Sequence, residues 1–246
     1  MKKLLPLILL ICIVYSCKKD KPAAKTVPVK FTATSYQNLG SYDTLGKPLN
    51  METPDVISDS LTLFLHTTLP ESVNLGIKHP ELLSTSAIGD VIITQPTTLH
   101  VTFVSEGTIY KNAIAFYTYP TNNPPAAATD IKLITYIFPN AGYKTALVAG
   151  DKVNIGTFSA GTSVGFVLLK NAWNATTQTL NNDAVHFCSD DVLNPEVNPS
   201  LKKHVVLLDY PKENKTLLGF EDIDRTDPYC DDDFNDVVIY VTKDIK

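Results

Sequence analysis

Basic side chains are the first shortage in this sequence of 246 residues: 21 lysines and arginines face 26 aspartates and glutamates, a net charge of −5. That balance argues against nucleic acid, which needs a basic face for its phosphates, and an anionic membrane surface is a poor match. Cysteine is scarce, with four in all. His186, Cys188, Cys230 and His204 offer zinc-binding atoms but no tetrahedral-site spacing, and zinc is set aside. Beyond the N-terminus no apolar run approaches the ~20 residues that a membrane-crossing helix needs. Also missing, between the strand-like segments, is any stretch of ~10–15 residues with helical periodicity, which argues against a parallel sheet of βαβ units.

What is present begins with a leader. Lys2 and Lys3 precede an apolar stretch, Leu4 to Tyr15, that is too short to span a bilayer and reads as a signal peptide. Val14-Tyr15-Ser16-Cys17 resembles a bacterial lipobox, with Cys17 as the lipidated residue. The Lys18-Lys19-Asp20-Lys21 run behind it is similar to the charged tether of Bacteroidetes surface lipoproteins. The expectation is a signal peptide over 1–16, a lipidated tether over 17–32, and attachment to the outer membrane, on its cell-surface side or, as the alternative, on its periplasmic side. Loss of Lys2 and Lys3 takes the net charge from −5 to −7. With Cys12 in the leader and Cys17 lipidated, Cys188 and Cys230 remain. They read as one disulfide outside the cytoplasm, two buried free thiols being the alternative.

Residues 33–90 read as an N-terminal extension or small subdomain, with a short helix within Pro54 to His66, although Ser60 to His66 also alternates as a strand would. From residue 91 to 246 the pattern is β. Short runs of β-branched and aromatic residues occupy Val91–Thr94, Leu99–Val104, Ala113–Tyr119, Ile131–Phe138, Lys152–Phe158, Ser163–Lys170, Ala184–Cys188, His204–Tyr210, Thr216–Phe220 and Val237–Thr242. Turn chemistry such as Pro120-Thr-Asn-Asn-Pro-Pro separates them. The fold expected is all-β, an antiparallel β-sandwich of jelly-roll-like form with a short mixed extension.

The densest chemistry lies between the last two of these strands. Eight carboxylates fall within the 16 residues from Glu221 to Asp236, with Arg225 the only nearby cation. Apolar strands bracket the run, so it must close into a compact loop where like charges repel unless compensated. A hard cation with six to eight oxygen ligands is the simplest compensation, and calcium fits best. Asp222 with Asp224, and Asp231 with Asp233, have the spacing to face one ion. Glu221, Asn235 and Asp236 stand near the points where loop meets strand. Phe234 is expected to plug the core beneath the loop. A Cys188–Cys230 bridge would bring Asp190 and Asp191 to the same site. The competing explanation is that Asp and Asn cap turns with their own backbone and hold no ion.

Several segments resemble a known family. Val101 to Tyr119 looks like its opening motif, Phe138-Pro139-Asn140 and Gly150-Asp151 like its middle, and Gly161 to Phe166 and Gly219-Phe-Glu221-Asp222…Asp233-Phe234-Asn235-Asp236 like its later signatures. The family is the bacterial secreted domain of unknown function 4114, frequent in Bacteroidetes lipoproteins including those of LruC type, and the resemblance covers about residues 98–243. It implies a β-rich extracellular module of surface and adhesin-like proteins, with a calcium site at the final motif. The glycine-rich linker usual in that motif is replaced here by Arg225-Thr-Asp-Pro-Tyr-Cys230.

One motif is a decoy. Gly161-Thr-Ser163-Val-Gly165 matches the G-x-S-x-G nucleophile elbow, with Asp183 and His204 following in hydrolase order, but a strand follows it where an elbow needs a helix. The functional expectation is therefore a surface-anchored, non-catalytic lipoprotein whose calcium-stabilised sandwich binds a glycan or protein ligand. The alternative is a carbohydrate-active or glycan-capturing lipoprotein that uses the acidic cluster as its site, with Tyr117, Tyr119 and Trp173 as candidate stacking surfaces.

Overall fold

In a strand successive side chains point to opposite faces, and here most strands are apolar on both. The reason is that each sheet is covered twice. The computed structural model describes residues 26–245 other than 28, 85 and 88. The expected signal peptide, Cys17 and most of the expected tether therefore lie outside the described residues.

All ten expected strands are present, and three short ones join them. One sheet has the order β1 (Ser35–Asn38), β5 (Leu133–Phe138), β4 (Ala113–Pro120), β7 (Thr162–Leu169), β10 (His186–Cys188), and β2 (Val91–Ile93) also pairs with β7. The other has the order β11 (Val205–Tyr210), β12 (Lys215–Phe220), β13 (Val237–Ile245), β3 (Thr97–Glu106), β6 (Lys152–Phe158). A small ribbon joins β8 (Trp173–Asn174) to β9 (Thr179–Leu180). The all-β sandwich is thus borne out, with one departure from a purely antiparallel arrangement: β1 runs parallel to β5.

The period-2 pattern sorts the core into layers. Val164, Phe166 and Leu168 of β7 meet Val237, Ile239 and Val241 of β13 in the core shared by the two sheets. Their neighbours Val167 and Leu169 face a second apolar layer on the outer side of the first sheet. Val238 and Tyr240 face a third layer, which α1 (Asp59–Thr68) and α2 (Leu75–Lys78) close with Leu61, Leu65, Leu69 and Leu75. Helix α1 starts where the Ser58 side chain accepts a hydrogen bond from the Leu61 amide, and it ends just before Pro70. That cap sets its start five residues beyond the Pro54 end of the expected segment. The segment leading into α1 is pinned by Asp55, which accepts from Thr102 and Tyr240 hydroxyls and pairs with Lys152 at 2.7 Å.

Strands β12 and β13 pair as far as Phe220 opposite Val237, so residues 221–236 form the connection of a hairpin inside the sheet. Gly219 makes its passage feasible: a Cβ there would sit 2.4 Å from the Phe234 carbonyl oxygen.

Candidate metal centre

The loop does not hold its acids in one cluster; it sorts them into different jobs. Glu221 and Asp222 are the first residues after β12 and both are fully buried. Asp236 is the last residue before β13. Oxygens of these three carboxylates lie within 4.8 Å of one another. Asp222 Oδ2 accepts from the Thr108 hydroxyl and the Asn112 amide, both fixed at the end of β3 and the start of β4. Asp236 Oδ2 accepts from the Asp222 amide at 2.7 Å, and Glu221 Oε1 from the Ile223 amide at 3.2 Å. Two buried oxygens are left with no partner, Glu221 Oε2 and Asp222 Oδ1. Burial, and then the Asp236 charge, push Glu221 up to about 10. Burial and then Asp222 push Asp236 up to about 8. Asp222 is raised as well, by burial. A carboxylate oxygen buried without a donor is costly, and three such groups together want either protons or a cation.

The donor set consists of hard oxygens from three carboxylates, with two oxygens unused. Ligands of one calcium, each about 2.3–2.6 Å from the ion, are separated by at most ~5 Å, and the spacing in this group is compatible with that. Glu221, Asp222 and Asp236 therefore fit such an ion.

The remaining predicted ligands lie elsewhere. Asp231 and Asp233 do come together, but with Glu71, which reaches in from the segment between α1 and α2. Asp233 accepts from the Ser72 amide at 2.8 Å and the Asn235 amide at 3.1 Å, and burial pushes it up to about 6. Asp224 does not share an ion with Asp222. Its Oδ1 accepts from both the amide and hydroxyl of Thr226, which is turn capping. Asn235 donates its side chain to the Leu69 carbonyl at 3.4 Å instead of facing the cluster. Asp232, not singled out by the spacing argument, pairs with Arg225 at 2.5 Å and accepts from Asn74 at 2.9 Å. Phe234 is fully buried and Arg225 lies 5.4 Å from its ring centroid. It plugs the helix-side layer as expected, yet not as part of a strand: Asp232 and Phe234 both have φ of 58°, a left-handed turn that breaks the alternation.

Two corrections concern the far loop. Cys188 and Cys230 are free thiols, not a disulfide. Cys188 is buried in the outer layer of the first sheet, whereas Cys230 Sγ lies 3.4 Å from Asp232 in the acidic loop. Asp190 and Asp191 consequently take no part in the loop site. Asp190 accepts from the Tyr117 hydroxyl at 2.8 Å and lies beside Asp90, while Asp191 pairs with Lys203 at 3.2 Å. Asp90 in turn accepts from the hydroxyls of Ser189 and Tyr119. Burial and then Asp90 push Asp190 up to about 8.

The decoys resolve in physical terms. Ser163 is buried inside β7, and Gly165 is needed because a Cβ there would meet the Tyr117 ring at 2.3 Å. His204 is buried, hydrogen-bonded to Glu196 at 2.7 Å and to the Glu221 carbonyl at 2.9 Å. Of the candidate stacking aromatics, Tyr117 and Trp173 are core residues and Tyr119 is half-buried.

Residues 158–244 match the family described as a domain of unknown function (DUF4114), which supports the resemblance over its later motifs. The matched span runs from the end of β6 into β13 and contains the whole acidic loop. No curated protein and no solved structure matches the chain.

Proposed function

We propose that this chain is a surface-anchored lipoprotein whose β-sandwich is stabilised by calcium and serves as a non-catalytic binding or adhesion module. The observation that carries the calcium reading is the pair of buried oxygens, Glu221 Oε2 and Asp222 Oδ1, which face a third carboxylate and, among the described residues, have no hydrogen-bond partner and no basic side chain paired with their carboxylates. The ion would neutralise Glu221, Asp222 and Asp236 and tie the β12–β13 connection to Thr108 and Asn112 through Asp222. Lipid attachment rests on the Val14 to Cys17 motif. Full burial of Glu221 and Asp222 keeps a glycan away from these acids, which favours a structural ion over the carbohydrate-active alternative.

Thermal unfolding with calcium and then with a chelator tests this. Calcium at about 100 times its dissociation constant contributes about 2.7 kcal/mol, a rise of about 5–10 °C for a domain of this size. Asp222→Asn and Asp236→Asn should each abolish the rise. An unchanged midpoint, with no ion in the purified protein, sinks the calcium reading.

A further inference from the structure

A cavity of about 450 Å³ lies between α1 and the C-terminal end of β3. Its floor is aliphatic, with Leu65, Leu69, Val104 and Val238, and its rim carries Glu71, Glu106 and His66. Neither Glu71 nor Glu106 forms an ion pair among the described residues. Glu106 accepts only the Thr108 amide, at 3.2 Å, and burial raises its pKa, as expected of a half-covered carboxylate without a cation. Strand geometry adds a second element. β6 pairs with β3 only as far as Thr102, and Phe103 bonds to the 150–151 turn, so no strand pairs with Val104–Glu106 on that side among the described residues. An aliphatic slot ending in two carboxylates, beside an open strand edge, is complementary to an extended chain with a long cationic side chain.

We propose that this cavity docks an extended peptide segment of a partner protein, which adds alongside Val104–Glu106 and inserts one lysine or arginine. The aliphatic stem covers Leu65, Leu69 and Val238 and the cation meets Glu106 and Glu71. The acidic net charge of the chain, −5, favours such a partner. The inference deepens the binding-module reading and rests on it, but it does not depend on calcium.

The test titrates the full chain, with calcium and with a chelator, using acetyl-Thr-Val-Lys-Val-Thr-amide and the same peptide with norleucine for lysine. Amide NMR shifts report the location. The lysine peptide should move Val104, Ser105, Glu106, Gly107 and the α1 amides, and bind about fivefold more tightly than the norleucine peptide, the size of a partly buried ion pair. Glu106→Gln should bring the two peptides level, and Glu71→Gln should act in the same direction. Equal binding of both peptides, shifts elsewhere, or an unaffected Glu106→Gln overturns the docking site. A calcium-dependent rise in melting temperature without peptide binding sinks this inference alone, and peptide binding without a calcium effect sinks the calcium reading alone.

Discussion

Two buried groups of carboxylates sit at different places in this molecule and meet different fates. At Asp90 and Asp190 the neighbouring strands and turns supply hydroxyls: Ser189 and Tyr119 donate to Asp90, and Tyr117 to Asp190. At Glu221, Asp222 and Asp236 the donors run out, and two oxygens have none. A burial penalty of the same kind is thus met by hydroxyl donors in one place, and in the other leaves oxygens open to a proton or a cation. The lesson is that counting acids does not identify an ion site; counting their donors does.

The largest blow to this contrast comes from the plug beneath the acidic loop. Phe234→Ala should cost about 3–5 kcal/mol and also weaken the response to calcium, read by denaturant unfolding with and without the ion. A loss below about 1 kcal/mol would mean that the loop is anchored by other contacts. Next, exchanging the perturbation between the groups sharpens the comparison. Asp222→Asn should remove the calcium-dependent rise in midpoint, whereas Asp190→Asn should leave it intact. Loss of the rise in both would show that the two groups are not independent.

The pH response should differ in sign. Asp190, pushed up to about 8, keeps a proton in the folded state that the unfolded chain releases from about pH 4 upward. The unfolded state then binds fewer protons, so stability falls as pH rises through that window. Asp190→Asn should flatten part of this fall, measured as melting temperature from pH 5 to 8 in chelator. The calcium-dependent increment should instead grow over the same range, because binding needs Glu221 and Asp236 deprotonated. A calcium increment that shrinks with rising pH would break the comparison. The smallest effect belongs to Cys230→Ser, within about 0.5 kcal/mol, and a reductant should leave the melting temperature unchanged. A clear drop on reduction would restore the disulfide.

Much of this was legible in the sequence where the signal is local. Short runs of β-branched and aromatic residues set between turns located all ten strands, and apolar bracketing located the loop and its plug, Phe234. Glu221 and Asp236 were legible because they abut strands whose pairing forces them together. Distant partners left no such trace. Glu71 joins Asp231 and Asp233 across some 160 residues of sequence, and Asp90 meets Asp190 across 100. The only hint for Asp90 was an acid set directly before an apolar strand. Spacing misled at Asp224, whose carboxylate caps the turn at Thr226, and at Asn235, where the left-handed Phe234 breaks the extended backbone that would put it on one face with Asp233. The Cys188–Cys230 pairing failed for a related reason: parity of cysteines says nothing about which sides of a sandwich they occupy.

The pairing of Phe220 with Val237 has a consequence for how the acidic segment can vary. The ladder already holds both ends of this excursion together, so closing it draws little on chain entropy, and each doubling of its length adds only about 0.6 kcal/mol. Glu221, Asp222 and Asp236 stand at the closed neck, while Asp224 to Cys230 form the distal lobe. The lobe can therefore be lengthened, shortened or rewritten while the neck retains its geometry.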